Sequence, residues 1–275
     1  MTTVAALGPE NTFSERAARG YLAALGASGS VRLYPTLRRA FQAAGGECDC
    51  AVLPIENMVE GYVQPVLDLL LDSDLAIVDE FIIPVEFCFV ATCGRKQDVG
   101  RVYAQFVTQG QCVEFLESLH HAEIVTTSSN GASLEMIRKG GPNEGAIIPS
   151  YAFDKREFAF AAENVSDYPN NRTRFIVIGG KEKACDAKCD YKTSLVVVEG
   201  KDRPGMLAEI LAAFSKRSVN LVSIMSRPTK ETLGKYHFFI DIEGHATESR
   251  ITEALADVQR HHFVRLLGSY PKAKV

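Results

Sequence analysis

Short apolar runs alternate with amphipathic stretches through the first 180 residues of the chain. The run VAALG at 4–8 is continuously apolar and predicts a buried strand. FSERAARGYLAAL at 13–25 spaces its apolar residues at helical intervals. DCAVLPI at 49–55 predicts a second strand, and VQPVLDLLL at 63–71 a helix. LAIVDEFIIPVEFCFVAT at 75–92 is too long for one ordinary strand, so it predicts two, or a crossing between lobes. A second series follows: VYAQFV as a strand, a helix over 109–119, AEIVTT as a strand, a helix near 131–139, and GAIIP as a strand. FIVIGG at 175–180 predicts the last strand of this region. Such alternation implies two α/β lobes with largely parallel sheets and a cleft between them, where small ligands bind at strand ends.

The pattern changes after a charged break, KEKACDAKCDYK at 181–192, which predicts a linker. TSLVVVEG is a strand, and MLAEILAAFSKR at 206–217 a helix with Met206, Leu207, Ile210, Leu211 and Phe214 on one face. Pro204 and Gly205 suit the turn into it. NLVSIMSR, KYHFFIDIEG, the helix ESRITEALADVQR and a final strand FVRLLGSYP complete a βαββαβ order, the ferredoxin-like plan. The expected domains are residues 1–182 and 193–275.

Charge is unevenly divided. Residues 191–275 hold 13 Lys and Arg against 9 Asp and Glu, whereas 1–190 hold 17 against 25. There is no basic stripe, so nucleic acid is not an expected partner. No apolar run approaches the roughly 20 residues of a membrane helix. MTTVAALGPE lacks a basic segment before an apolar run, so the expected compartment is the cytoplasm. Seven cysteines then predict free thiols rather than a disulfide framework, with Cys88, Cys93 and Cys112 as core residues. Neither Cys48/Cys50 nor Cys185/Cys189 has zinc-site spacing and partners, no histidine completes a metal set, and no phosphate loop is present. Neither metal nor cofactor is expected.

Four stretches carry candidate chemistry. In GPENTFSERAA at 8–18, Gly8 and Pro9 turn the chain, and Thr12 and Ser14 are candidate caps of a helix whose N-terminus attracts anions. LPIEN at 53–57 sets Glu56 and Asn57 at a strand end. QCVEFL at 111–116 supplies the amide of Gln111, and Ser128, Ser129 and Asn130 lie before a helix. NNRTRF at 170–175 offers Asn171, Thr173, Arg174 and Phe175, with Arg174 suited to a two-pronged carboxylate pair.

In this order these stretches resemble the prephenate dehydratase family with a C-terminal ACT domain, over nearly the whole chain. The resemblance implies a bilobal α/β catalytic domain followed by a ferredoxin-like ACT domain. It implies conversion of prephenate to phenylpyruvate, CO2 and water in L-phenylalanine biosynthesis. Thr173 matches the family's principal catalytic residue, and Asn57 and Gln111 match active-site amides. The remaining cleft residues, for substrate binding, are Arg174, Thr12, Ser14, Glu56, Asn171, Phe175, Ser129 and Asn130. The family's usual Gly is Asn11 here, its Ser or Thr is Met58, its Ser-His-Pro is Ala104, Gln105 and Phe106, and its third hydroxyl residue in Ser-Ser-Thr is Asn130. Asn tolerates left-handed backbone, so the first change preserves the turn. The others remove polar groups and motivate a second reading, a non-aromatising prephenate decarboxylase. A third is a non-catalytic amino-acid sensor.

The ACT domain of this family binds L-phenylalanine at a dimer interface. The matching residues are Gly205, Met206 and Leu207, then Asn220, Leu221, Ser226 and Arg227. Met225 replaces the acid of the family's Glu-Ser-Arg-Pro, which bears on affinity or selectivity for the effector. A homodimer or homotetramer is expected.

Overall fold

The computed structural model describes residues 1–26, 28–152, 154–179, 185–186, 188–198, 203–230 and 233–273. Inter-residue contacts divide the chain into two units, Met1–Val66 with Ile82–Phe175, and Leu67–Phe81 with Ile176–Val275. The 181–184 part of the expected linker, and with it the boundary at residue 182, lies outside the described residues.

The first unit opens with β1 (Thr2–Leu7), α1 (Phe13–Ala24), β2 (Gly29–Tyr34), α2 (Leu37–Ala43), β3 (Cys50–Asn57) and β4 (Gly61–Tyr62). The β2–α2 pair fell in a stretch with no predicted element. Then α3 (Gln64–Leu71) and β5 (Ile77–Pro84) follow. After β6 (Phe87–Ala91) come β7 (Arg101–Gln105), α4 (Phe106–Gln111), α5 (Val113–Glu117), β8 (Glu123–Thr127), α6 (Asn130–Lys139), β9 (Glu144–Pro149), β10 (Phe160–Ala162) and β11 (Arg172–Gly179). One sheet has the order β2-β1-β3-β11-β5 with β4 on β3, and the other β10-β6-β9-β7-β8. The run 75–92 thus gives two strands in two sheets. β1 is parallel to β2 and β3, and β7 to β8 and β9. However, β6 lies antiparallel between β9 and β10, so the second sheet is mixed, against the expectation of largely parallel sheets.

Alternation along β6 builds two cores on the second sheet. Phe87, Phe89 and Ala91 pack on one face with Val102, Ala104 and Ile147, while Cys88 and Val90 pack on the other with Leu134 and Ile137. Burial pushes the Cys50 thiol up to about 11, and those of Cys88 and Cys112 up to about 12, so these cysteines behave as small core residues. The predicted helix over 109–119 is broken. Cys112 leaves helical geometry at φ −134° and ψ 37°. The physical cause is remote in sequence: the Gln111 carbonyl accepts from Asp167 N and Ser166 Oγ, and the Asp167 carboxylate accepts from Val113 N at 2.7 Å. Residues 166–167 take over groups that a continuous helix would have paired internally.

The second unit contains β12 (Tyr191–Val198), α7 (Met206–Ser215), β13 (Leu221–Pro228), β14 (Tyr236–Glu243), α8 (Ser249–Gln259) and β15 (Phe263–Pro271). The antiparallel order β13-β14-β12-β15 is the ferredoxin-like arrangement. Leu195, Val197, Ile240, Ile242 and Val264 of the sheet bury against Ile210 and Phe214 of α7 and Ile251, Leu255 and Val258 of α8. Leu207 departs from the predicted apolar face and is 38% exposed. The other sheet face buries the apolar pair Val196 and Phe239 and also a polar cluster, in which Ser194 Oγ donates to Asp241 Oδ1 at 2.5 Å and lies 2.6 Å from the Tyr270 hydroxyl. The segment Leu67–Phe81 belongs to this unit through specific contacts. Lys192 Nζ meets Glu80 Oε2 at 2.7 Å with both side chains buried, and Arg265 donates to the Leu71 carbonyl at 2.6 Å. At Gly268 a Cβ would stand 2.0 Å from the Ile77 carbonyl oxygen, so only glycine fits.

Candidate active site

Strand β3 ends at Asn57, where the chain reverses into β4 through a left-handed Gly61. The Asn57 Oδ1 accepts from Val59 N at 2.9 Å and Glu60 N at 3.0 Å, an Asx turn that fixes which way its amide faces. Its Nδ2 therefore points at β11 and donates to Thr173 Oγ1 and Asn171 Oδ1, both at 2.9 Å. Asn171 Nδ2 in turn donates to Gln111 Oε1 at 2.9 Å, and Gln111 Nε2 to Glu60 Oε1 at 3.0 Å. Thr173, Asn171 and Gln111 are all buried. Three stretches distant in sequence thus form one hydrogen-bonded line, and Thr173 Oγ1, as acceptor from Asn57, keeps its own proton to offer elsewhere.

This line forms part of the wall of a cavity of about 260 Å³ within the first unit. Asn57, Gln111 and Thr173 line it together with Ser14, Asn130 and Phe175. Phe13, Val63, Val85, Phe87 and Val107 give it apolar sides, and Phe13 packs edge-on to Phe87 with ring centroids 5.5 Å apart. Among the described residues the lining includes no Lys or Arg. The N-terminal turns of α1, α4 and α6 contribute to the lining instead. Thr12 caps α1, accepting from Glu15 N, so Ser14 is inside the helix and is not its cap. Ser129 caps α6, accepting from Ala132 N at 3.0 Å, and Asn130 Oδ1 accepts from Thr108 Oγ1 at 2.8 Å. The N-termini of α1 and α6 approach closely: a Cβ at Gly131 would stand 2.4 Å from the Glu10 carbonyl oxygen. Asn11 adopts the left-handed φ of 61° expected of it.

Several predicted residues stand outside the lining. Arg174 follows Thr173 on β11 and so points to the other side, where its Nε meets Glu56 Oε2 at 3.1 Å. Thr12 and Ser129 act as caps, and Asn171 sits one bond behind the wall. Met58 is 67% exposed and does not make the cavity more apolar. Ala104 lies in the core, Phe106 faces outward, and Gln105 lines the cavity while its Oε1 caps α4 through Thr108 N. Glu60 and Thr108 line the cavity and were missed. Glu60's only sequence signal is its place three residues after Asn57 in a turn. Among the described residues no group of three His, Cys, Asp or Glu is arranged to hold a metal ion.

The prephenate dehydratase family profile matches residues 4–183, and the ACT domain profile residues 194–260. The chain belongs to the prephenate dehydratase family. It is 33% identical over 280 residues to a prephenate dehydratase of Amycolatopsis methanolica, covering 99% of this chain and 90% of that one. It is 33% identical over 274 residues to a bifunctional chorismate mutase/prephenate dehydratase of Aquifex aeolicus, covering 98% and 74%. The prephenate dehydratase of Arthrobacter aurescens, solved in complex with L-Phe, superposes with a TM-score of 0.84 at 35% identity, covering 98% of this chain and 90% of that one.

In the ACT domain the seven residues singled out from the sequence fall at two ends of the sheet. β12 and β13 run the same way with β14 opposed between them, so Gly205, Met206 and Leu207, after β12, share an end with Ser226 and Arg227. Asn220 and Leu221 lie at the other end. Gly205 is left-handed at φ 87° and precedes α7, Met206 packs on the core, and Asn220 and Ser226 are exposed. Arg227 makes a two-pronged pair with Asp68, at 2.8 Å to each carboxylate oxygen, and Lys230 joins at 2.6 Å. Burial pushes the Asp68 carboxyl up, but these hydrogen bonds and charges outweigh it and hold it below its ordinary range.

No helix among the described residues is long and apolar enough to cross a membrane.

Proposed function

We infer that this chain is a prephenate dehydratase, a carbon–oxygen lyase that converts prephenate to phenylpyruvate, CO2 and water, under control by L-phenylalanine through its ACT domain. The observation that carries this reading is the Thr173–Asn57 bond on the cavity wall, in a chain of this family.

The reaction moves negative charge from a departing carboxylate, through the ring, onto the departing hydroxyl. Catalysis requires donors that grip the hydroxyl more tightly as charge reaches it. Thr173 is the proposed donor, because its oxygen accepts from Asn57 and its proton is left to point into the cavity. Asn57 makes that proton more acidic and fixes its direction, and Gln111 steadies the line behind it. The apolar sides formed by Phe13, Phe87, Val85 and Phe175 suit the ring. With no Lys or Arg among the described lining residues, the N-termini of α1, at Ser14, and of α6, at Asn130, are the proposed holders of the carboxylates. Thr12 and Ser129 serve by capping those helices, and Arg174 with Glu56 serves by bracing β11 against β3. Ser14, Thr108, Gln105 and Asn130 leave the cavity polar despite Ala104, which supports dehydration over simple decarboxylation.

Residues 1–182 are the proposed catalytic domain and 193–275 the regulatory domain. The A. aurescens relative was solved with L-Phe. The proposed effector site here comprises Gly205, Met206, Leu207, Asn220, Leu221, Ser226 and Arg227, in a homodimer or homotetramer working in the cytoplasm. An effector that contacts Arg227 would compete with Asp68 for it.

Incubation of purified protein with prephenate, with and without phenylalanine, tests the reading. The expected product is phenylpyruvate, at a rate that phenylalanine lowers. A decarboxylated product that keeps its hydroxyl, or no turnover, would overturn it. Thr173→Ala is expected to lower kcat about a hundred- to ten-thousandfold with the fold intact by circular dichroism.

A further inference from the structure

The hydrogen-bonded line behind Thr173 has a direction, and its far end is a residue to which neither the sequence nor the family resemblance gives a role. Asn57 is fixed at one end by the Val59 and Glu60 backbone N–H groups. Its Nδ2 faces Asn171 Oδ1, which leaves Asn171 Nδ2 to face Gln111 Oε1, and Gln111 Nε2 to face outward. Each amide is thereby assigned its orientation by its neighbour, and the last one needs an acceptor. Glu60 Oε1 supplies it at 3.0 Å. Glu60 is also on the cavity wall, in the β3–β4 turn, whereas Gln111 is the last residue of α4, just before the break at Cys112. The bond therefore joins two elements 51 residues apart at the cavity.

We propose that Glu60 is a positioning residue for the dehydratase reaction: by accepting from Gln111 it terminates the Thr173–Asn57–Asn171–Gln111 line and keeps the Thr173 hydroxyl aimed as a donor into the cavity. This rests on the dehydratase reading of the same site. Without an acceptor at residue 60, Gln111 Nε2 loses its bond to Glu60, only the bond from Asn171 still orients the amide, and the line behind Thr173 loosens. The requirement is for an acceptor oxygen, and an amide oxygen serves as well as a carboxylate.

The test compares Glu60→Ala, Glu60→Gln and Gln111→Ala singly, and Glu60→Ala with Gln111→Ala, in steady-state kinetics on prephenate with thermal unfolding in parallel. Glu60→Ala is expected to lower kcat about tenfold or more with KM changed less than about threefold. Glu60→Gln is expected to stay close to the unmutated enzyme. In the Gln111→Ala background, Glu60→Ala is expected to add no further loss, because the two act as one unit. An unchanged kcat in Glu60→Ala would overturn the proposal, as would additive losses in the double variant. So would a Glu60→Gln enzyme as impaired as Glu60→Ala, since charge and not acceptance would then be what matters. If the unmutated protein fails to turn over prephenate, the dehydratase reading falls and takes this proposal with it. An active protein indifferent to Glu60 overturns only the proposal.

Discussion

Asn57 occupies the position where backbone and chemistry meet. Its carbonyl oxygen is consumed by the turn that it makes, and its amide nitrogen serves Thr173 and Asn171. Asn57→Asp preserves the shape and the turn but replaces the donor nitrogen with an acceptor, which draws the Thr173 proton to itself and leaves Asn171 Oδ1 without its donor. It is expected to lower kcat about a hundredfold or more, measured on prephenate, with Thr173 still present. Thr173 and Arg174 show the limit of a motif read as letters. Both belong to one tripeptide, yet alternation on β11 sends Thr173 to the cavity wall and Arg174 to Glu56 behind it. The strand period carries that information, but only the pairing of β11 says which face meets the cavity.

At the level of elements, most helices and strands follow from apolar period, and their ends from caps such as Thr12 and Ser129. The departures have tertiary causes. α4 and α5 are separate because residues 166–167 capture the groups on either side of Cys112. That break leaves Gln111 at a helix end, with its side chain within reach of Asn171. The approach of α6 to the loop before α1 depends on Gly131, where a side chain would meet the Glu10 carbonyl. Gly131→Ala is expected to cost about 1–3 kcal/mol, seen as a lower Tm, and to raise KM for prephenate because both helix N-termini must part.

On the scale of the whole molecule, the sequence suggests that the catalytic region ends near residue 182, and contacts divide the chain differently. Leu67–Phe81 clusters with the ACT-containing unit. The buried Lys192–Glu80 pair is one reason, with Glu80 Oε1 also accepting from Ala273 N at 2.9 Å. Lys192→Met removes the buried ammonium paired with the Glu80 carboxylate. It is expected to destabilise the protein by about 3–5 kcal/mol in denaturant unfolding, while pairing it with Glu80→Met recovers most of the loss. The Asp68–Arg227 pair belongs to the same segment and sits on a residue that the motif assigns to the effector. Nothing in either local sequence announces the pairing, because 159 residues separate the partners.

By itself the sequence determined most of the element types, the βαββαβ order and the family, because period, caps and contiguous motifs are local properties of the chain. It also held the residues of the cavity wall, Asn57, Gln111 and Thr173, in three separate stretches. The tertiary structure alone decided that they share one hydrogen-bonded line, that Glu60 ends it, and that Arg174 and Arg227 are engaged by Glu56 and Asp68. Hydrogen-bond partners and the facing of a strand are set by what packs against them. That is a relation between distant stretches, and no window of sequence contains it.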